Sequence, residues 1–553
     1  MTNPINGESP VEPGGVAVDS SEATTSGTRD DVVDAPLDDS TDESPERPAD
    51  SPPAEADGDD ALFDRAERFL RGPDTLPLGI IILIAAWWAW KFSSLVILRH
   101  NRYGSFDFDS GIFDQAAWLA AHGSQFDTVR GLPLYGHHAT FGFYLFAPAY
   151  WLGFDGPTVM NVAQVLFLAA VPLVVYWLAR RIGLQPWIAC AAGFVCLTHF
   201  SMTWLAQELF HPEVFAIAPL LAAYGFAVKD QNRAYWAMLV FAIIWKEDVA
   251  LAILGLGGML LIQSFRGGGA RRRRALYTIA FAAVWFVLAT QVLLPHFSPT
   301  GRAFYAEGFY GDLGNNFTSV AGSFITHPSL VATHLHRAHT VGYLRDLWAP
   351  FAFVNLLEPV TLLIAIPQIL ANLLSVNSFT WSLHFHYVAL PLMASMLGFV
   401  LGLRRLRGNW RSFAAGLAIA ASIGTALSWG VGPYSVKYRA GYWPLVPNVA
   451  QTDIDHALSL IPGNASVSAS YHLVPHLSSR RLIFSYPNPW QARNWGIDDK
   501  DQRDPSTVKW LVVLKADLSD SDNKLLASLF KGPHALTKVY ETQNVLVARR
   551  DSG

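Results

Sequence analysis

Three carboxylates, Asp107, Asp109 and Asp114, fall within eight residues in the run Phe106-Asp107-Phe108-Asp109-Ser110-Gly111-Ile112-Phe113-Asp114-Gln115. Acids so spaced can take a proton from a hydroxyl acceptor as a general base. They can equally offer hard oxygens to a divalent cation such as Mg2+ or Mn2+, and the Asp107/Asp109 pair is the candidate metal ligand. A helix beginning near Ser110, a suitable N-cap, would project Asp114 from its first turns. The interleaved phenylalanines suit a segment lying at a membrane surface, rings in the interface and acids turned toward a cavity.

Further groups with chemical capacity recur along the chain. His137 and His138 close the same loop; being adjacent they point different ways, so each acts alone, on a phosphate or on a carboxylate of the acidic loop. In Gln207-Glu208-Leu209-Phe210-His211-Pro212-Glu213, Glu208 and His211 can face each other across one helical turn. The plain alternative there is a cap and turn, with Pro212 opening the next helix. Trp245-Lys246-Glu247-Asp248 interrupts the apolar stretch 234–264. Ionisable groups at such a place need partners or a wet cavity. Lys246 suits a lipid phosphate, and Glu247 or Asp248 can pair with it or with His211. His384 and His386 precede a later apolar run and are candidate ligand contacts. His296 and Arg302 are weaker candidates.

The elements that must hold these residues are membrane helices. Of 553 residues, 51% are hydrophobic and 15% charged, a balance outside that of ordinary soluble domains. Residues 1–62 are different: acidic, rich in Ser, Pro and Gly, with few large apolar side chains, and are expected to be a disordered cytoplasmic tail. They have no basic and apolar succession of the signal-peptide kind. The two cysteines, Cys190 and Cys196, share one apolar run at a spacing that puts them on different helix faces, against a disulfide.

Apolar runs long enough to cross a bilayer occur near 76–98, 158–179, 185–205, 214–228, 275–294, 387–403 and 412–430. The stretches 234–264 and 347–375 are too long for one helix and are each expected to form a hairpin, giving about eleven helices between 76 and 430. Only then do Arg180-Arg181, Lys229 to Arg233, Arg266 to Arg274 and Arg404 to Arg411 share one side, as the positive-inside rule requires. That places the tail in the cytoplasm and, outside, the first loop 99–157, with Phe141 to Phe154 along the interface or re-entrant. The segment 431–553 also lies outside, where alternating strand-like runs (465–470, 482–486, 510–514, 545–548) and helix-like runs (454–460, 523–530) predict a small extracytoplasmic α/β domain. The fold class expected is an all-α polytopic membrane domain with that appended domain.

No phosphate-cradling glycine loop, nucleophile elbow, zinc motif or nucleotide fingerprint occurs. Arg271 to Arg274 is an orientation signal and an anionic-lipid contact, not a nucleic-acid site.

The segment Phe106 to Trp118 resembles the opening signature of a prokaryotic membrane-protein family defined only as a domain of unknown function. The resemblance continues through His137-His138, Phe210-His211-Pro212-Glu213, Lys246-Glu247-Asp248 and Pro462-Gly463-Asn464-Ala465-Ser466-Val467-Ser468-Ala469, covering nearly everything after residue 75. That family is grouped with the multi-span GT-C class of glycosyltransferases that use polyprenyl-phosphate sugars. The resemblance implies a first outer loop whose acid, here Asp107/Asp109, is catalytic base or metal ligand, and a donor phosphate held between helices at the outer face. The function it implies is an inverting transferase of the bacterial cytoplasmic membrane, passing sugar from a polyprenyl phosphate to a cell-envelope glycan, lipid or protein. A lipid or solute transporter or flippase, with charges lining a path through several helices, is the alternative from another class, and a non-catalytic assembly protein is a third.

Overall fold

The computed structural model describes residues 72–550, apart from 266–267, 302–307, 316, 448 and 533–534. The acidic tail 1–62 and Arg302 lie outside the described residues.

Among the described residues five helices are long and apolar enough to cross a membrane: Thr75–Asn101, Gly156–Arg181, Gly269–Phe297, His386–Arg405 and Asn409–Trp429. The pair Pro186–Thr198 and Phe200–Gln207, bent by 50° at its break, makes a sixth. Shorter apolar helices are Pro212–Val228, Val249–Ser264 and Pro359–Leu374. Local chemistry sets the ends. Asp155 caps Gly156–Arg181 by accepting from Thr158 N at 3.1 Å, with Pro157 in the first turn where a missing N–H is harmless.

The first expected hairpin forms, as Asn232–Ile243 and Val249–Ser264 around the Lys246 tip. The second takes another form. Ala349–Phe351, Val354–Leu357 and Pro359–Thr361 are 3-10 turns, and only Leu362–Leu374 is a regular helix. Pro350 and Pro359 cannot continue a helix, and Ala352 and Phe353 take left-handed backbone (φ +47° and +59°). The descending arm of that hairpin is therefore an irregular crossing.

The charges segregate to the ends of the bundle. At one end Arg180 binds Asp74 (2.5 Å), Arg271 binds Asp230 (2.7 Å) and Arg405 binds Glu358 (2.5 Å). At the other end lie the first loop, the connection 208–211, the Lys246 tip, His384–His386 and the α/β segment.

The α/β segment is a five-stranded mixed sheet in the order β4-β3-β5-β7-β6, formed by β3 (Val467–Ala469), β4 (Ile483–Ser485), β5 (Trp510–Leu514), β6 (Leu536–Glu541) and β7 (Val545–Arg550). The first loop carries the short pair β1 (Phe126–Asp127) and β2 (Leu132–Pro133). In the sheet β3 runs parallel to β4 and β5, with Ala469 beside both Ser485 and Val512. Helices Gln451–Ser459 and Asp520–Ser528 accompany it, the latter closed by a Ser519/Asp522 capping box. The edge strand β6 is mostly exposed and polar, which hid it from the hydropathy pattern.

This sheet grips the first loop. Thr128 Oγ1 donates to Ile483 O (2.6 Å) and accepts from Ile483 N (3.0 Å), Asp107 N donates to Tyr471 O (2.9 Å), and Gly496 N donates to Arg130 O (2.8 Å). The described residues form one compact unit.

Candidate functional site

Between Asp107 and Gly111 the chain makes a tight, irregular turn, and the regular helix begins only at Ile112. No side chain caps that helix, so Ser110 does not play the N-cap part expected of it. Phe108 is extended (φ −63°, ψ 131°), whereas Asp109 stands at φ +70°, ψ −73°. A non-glycine residue held there costs on the order of 1–3 kcal/mol, a strain that the surroundings must sustain.

The turn sends its two acids to different partners. Asp107, 9% exposed, accepts from Phe108 N at 2.5 Å. It lines a cleft of about 270 Å³ together with Ser470, Tyr471, Ser485, Asn488 and Arg493 of the α/β segment. The parallel strands β3 and β4 end at this cleft, the usual place for ligands in such sheets. Burial pushes the Asp107 carboxyl up to about 7, against the pull of the Ser485 hydroxyl and the Phe108 N–H. The Asp109 carboxylate instead lies 3.6 Å from His211 Nε2.

His211 belongs to a buried ionic cluster assembled from three connections. Its ring stacks on that of His386 (centroids 3.8 Å apart, 17° between planes). His386 Nδ1 is 2.8 Å from Glu208 Oε1, and its Nε2 is 3.8 Å from Glu213 Oε1. Lys246 Nζ donates to Glu213 Oε1 at 2.7 Å and lies 3.5 Å from Asp248 Oδ2. Glu247 turns to the first loop, accepting from Ala139 N (3.0 Å) and meeting His138 Nδ1 (2.8 Å). Gly142 lets this loop lie against the Lys246 tip: a Cβ there would stand 2.3 Å from the Trp245 ring. Eight sequence candidates (Asp109, His138, Glu208, His211, Lys246, Glu247, Asp248 and His386) thus meet.

His137 borders this cluster, its ring centroid 4.3 Å from that of His138, while Asp114 and His384 make their contacts elsewhere. Asp114 is fully buried, accepting from Tyr150 OH (2.8 Å), Ser478 Oγ (2.6 Å) and Ser479 Oγ (3.0 Å), a clasp between the first loop and the α/β segment. His137 packs on Phe113, with centroids 6.2 Å apart. His384 stacks on Trp204, with centroids 4.2 Å apart. Asp107 and Asp109 turn to different partners, the first to the cleft and the second to His211.

Sequence reasoning passed over Glu213, in a stretch read as cap and turn, and Arg99, which fell in the first loop 99–157 and lies instead in the helix Thr75–Asn101. Arg99 Nη1 donates to the carbonyl and side-chain oxygens of Gln207, and its Nε to Gly104 O (2.9 Å), which fixes the start of the 208–211 connection. A basic residue closing a span beside an acidic loop was the available signal. The cleft residues of the α/β segment carried none, since Ser, Tyr and Asn in a strand-and-turn region look ordinary.

Over residues 99–531 the sequence matches the family described as "Predicted membrane protein (DUF2079)", and the chain belongs to that family of multi-pass membrane proteins. No curated protein matches it. Among solved structures, ArnT from Cupriavidus metallidurans bound to undecaprenyl phosphate is similar at 14% identity, with 85% of this chain and 97% of that chain covered and a TM-score of 0.47. ArnT from the same organism in the apo state gives 13% identity, the same coverages and a TM-score of 0.46.

Proposed function

We propose that this DUF2079 membrane protein is an inverting glycosyltransferase, taking sugar from a polyprenyl-phosphate donor at the bundle end opposite the arginines. By the positive-inside rule that end is the outer face of the cytoplasmic membrane. One observation carries the reading: a single strained turn offers Asp107 to a polar cleft and Asp109 to a cluster of cations and acids.

The cleft suits the acceptor, a hydroxyl-bearing glycan, lipid or protein of the cell envelope. Asp107, poised near neutrality, is the base that takes the acceptor's proton. The freed oxygen bonds to the anomeric carbon as the bond from that carbon to the phosphate oxygen breaks, and attack opposite the leaving phosphate inverts the centre. Lys246, with His211, offsets the charge gathering on that phosphate, and Asp109 positions His211. Membrane lipids surround the donor's chain.

Purified protein supplied with polyprenyl-phosphate sugars should form glycosylated product. Asp107→Asn should lower kcat/KM by about 10²–10⁴-fold, the usual worth of a general base. Asp109→Asn should lower it too. Undiminished transfer by both variants sinks the assignment, and no transfer by the wild type points to an assembly role. A transport path finds less support: Glu358, the chief acid outside the cluster, is bound by Arg405 at the arginine-rich end.

A further inference from the structure

Glu208 and His211 lie in the connection after the bent helix pair, and His386 in the turn that opens the helix ending at Arg405. One donor atom of each falls within 4.8 Å of the other two. Three donors bound at ~2.1 Å to one ion would lie at most ~4.2 Å apart, so little adjustment separates this arrangement from a coordination sphere. Glu208 is 8% exposed and His211 2%, and a buried polar atom ordinarily has a hydrogen-bond partner. Yet Glu208 Oε2 and His211 Nε2 have none, nor do Glu213 Oε2 and Asp248 Oδ1 beside them. Charge is out of balance as well. Glu213 and Asp248 meet the ammonium of Lys246, while Asp109, Glu208 and Glu247 face the rings of His211, His386 and His138, and the Arg99 guanidinium is engaged on Gln207. Enclosed carboxylates without countercharge are costly.

We propose that Glu208, His211 and His386 bind a divalent transition-metal ion, with Zn2+ the best match. Two imidazole nitrogens and one carboxylate oxygen form a donor set that zinc takes readily, leaving a fourth position open to a water or another ligand. Mg2+ prefers oxygen alone and keeps its waters, so the mixed set disfavours it. The ion supplies the missing positive charge and engages the orphaned atoms. Binding requires the stacked rings to turn and His386 to release Glu208, both within reach of side-chain rotation. Asp109, 3.6 Å from His211 Nε2, stands at the rim, and Leu209 O, 3.4 Å from Nδ1, orients the ring.

The proposal does not rest on the transfer reading and is tested without any sugar donor. Full-length protein in detergent is stripped with a chelator, reloaded with Zn2+, desalted, and its metal measured by mass spectrometry. About one Zn2+ should remain per chain, whereas Mg2+ should wash out. Co2+ in place of zinc should give the visible absorption of a low-coordinate nitrogen and oxygen site, a readout needing no variant. His386→Ala and His211→Ala should each weaken zinc binding at least about tenfold. His122→Ala, which alters an exposed ring stacked on Trp118, should not. A wild-type protein that takes up neither Zn2+ nor Co2+ overturns the proposal, as does unchanged retention in a folded His386→Ala. Zinc bound without any transfer activity would refute the transferase and leave the metal site standing.

Discussion

Burial pushes the carboxyls of Asp107 and Asp114 alike up to about 7, and their neighbours separate their roles. Asp107 opens onto a cleft, where a base of that strength is useful. Asp114 is enclosed by the hydroxyls of Tyr150, Ser478 and Ser479, where it fastens one segment to another. A carboxyl raised by folding binds its proton more tightly in the native state. Its stabilising contribution is therefore full near pH 4, falls as pH rises toward 7, and is flat above. Asp114→Asn, which copies the neutral form, should flatten the pH dependence of the melting temperature between about pH 4 and 7. Asp114→Ala should lower stability at every pH, by about 1–3 kcal/mol for the hydroxyls left unpaired. An unchanged pH profile in Asp114→Asn would mean the group is ionised in the fold. At this scale the sequence singled out ionisable groups beside apolar runs, which are expensive there, and most of those groups meet in the fold. It could not sort the three acids of one loop, because the sorting depends on a backbone reversal at Asp109 and on Ser478 and Ser479, more than 360 residues away.

Among the elements, the irregular crossing is supported from a neighbouring helix. Gly398 and Gly402, four residues apart in Ala389–Arg405, leave room for the 3-10 turn Val354–Leu357. A Cβ on Gly402 would stand 2.2 Å from Val354 O, and one on Gly398 2.8 Å from Thr361 Oγ1. Small residues at that spacing let backbones approach closely inside a membrane. Gly402→Ala should destabilise the protein by about 1–3 kcal/mol, as overpacking does, seen as a lower melting temperature in detergent. Gly416→Ala, on a helix face where nothing lies within 4 Å, should be neutral or stabilising by up to about 1 kcal/mol. Equal effects at the two positions would remove the packing argument. Long apolar runs announced most of the helices. The turns 349–361 were not legible, since the same apolar composition serves a helix or a 3-10 coil once prolines and packing decide.

For the whole molecule, polarity follows from the ends: arginine–acid pairs at one, the ionic cluster and the sheet at the other. Cys190 and Cys196 are buried free thiols, so an introduced cysteine should report alone. A membrane-impermeant maleimide should label Asp520→Cys, in the α/β segment, on intact cells, and Arg273→Cys only after permeabilisation. The opposite pattern would invert the orientation and place the cluster in the cytoplasm. By itself the sequence determined that the chain is a multi-pass helical membrane protein, where most of its helices run, and that an α/β segment follows them. Hydropathy and basic-residue bias are local sums that need no partner. Only the tertiary structure decided that Glu208, His211, Glu213, Lys246 and His386 share one enclosed space, and that Asp107 turns from them toward the sheet. Those facts depend on three connections and a distant α/β segment meeting at one end of the bundle. Contacts between residues up to some 360 positions apart leave no period or composition in the chain to read.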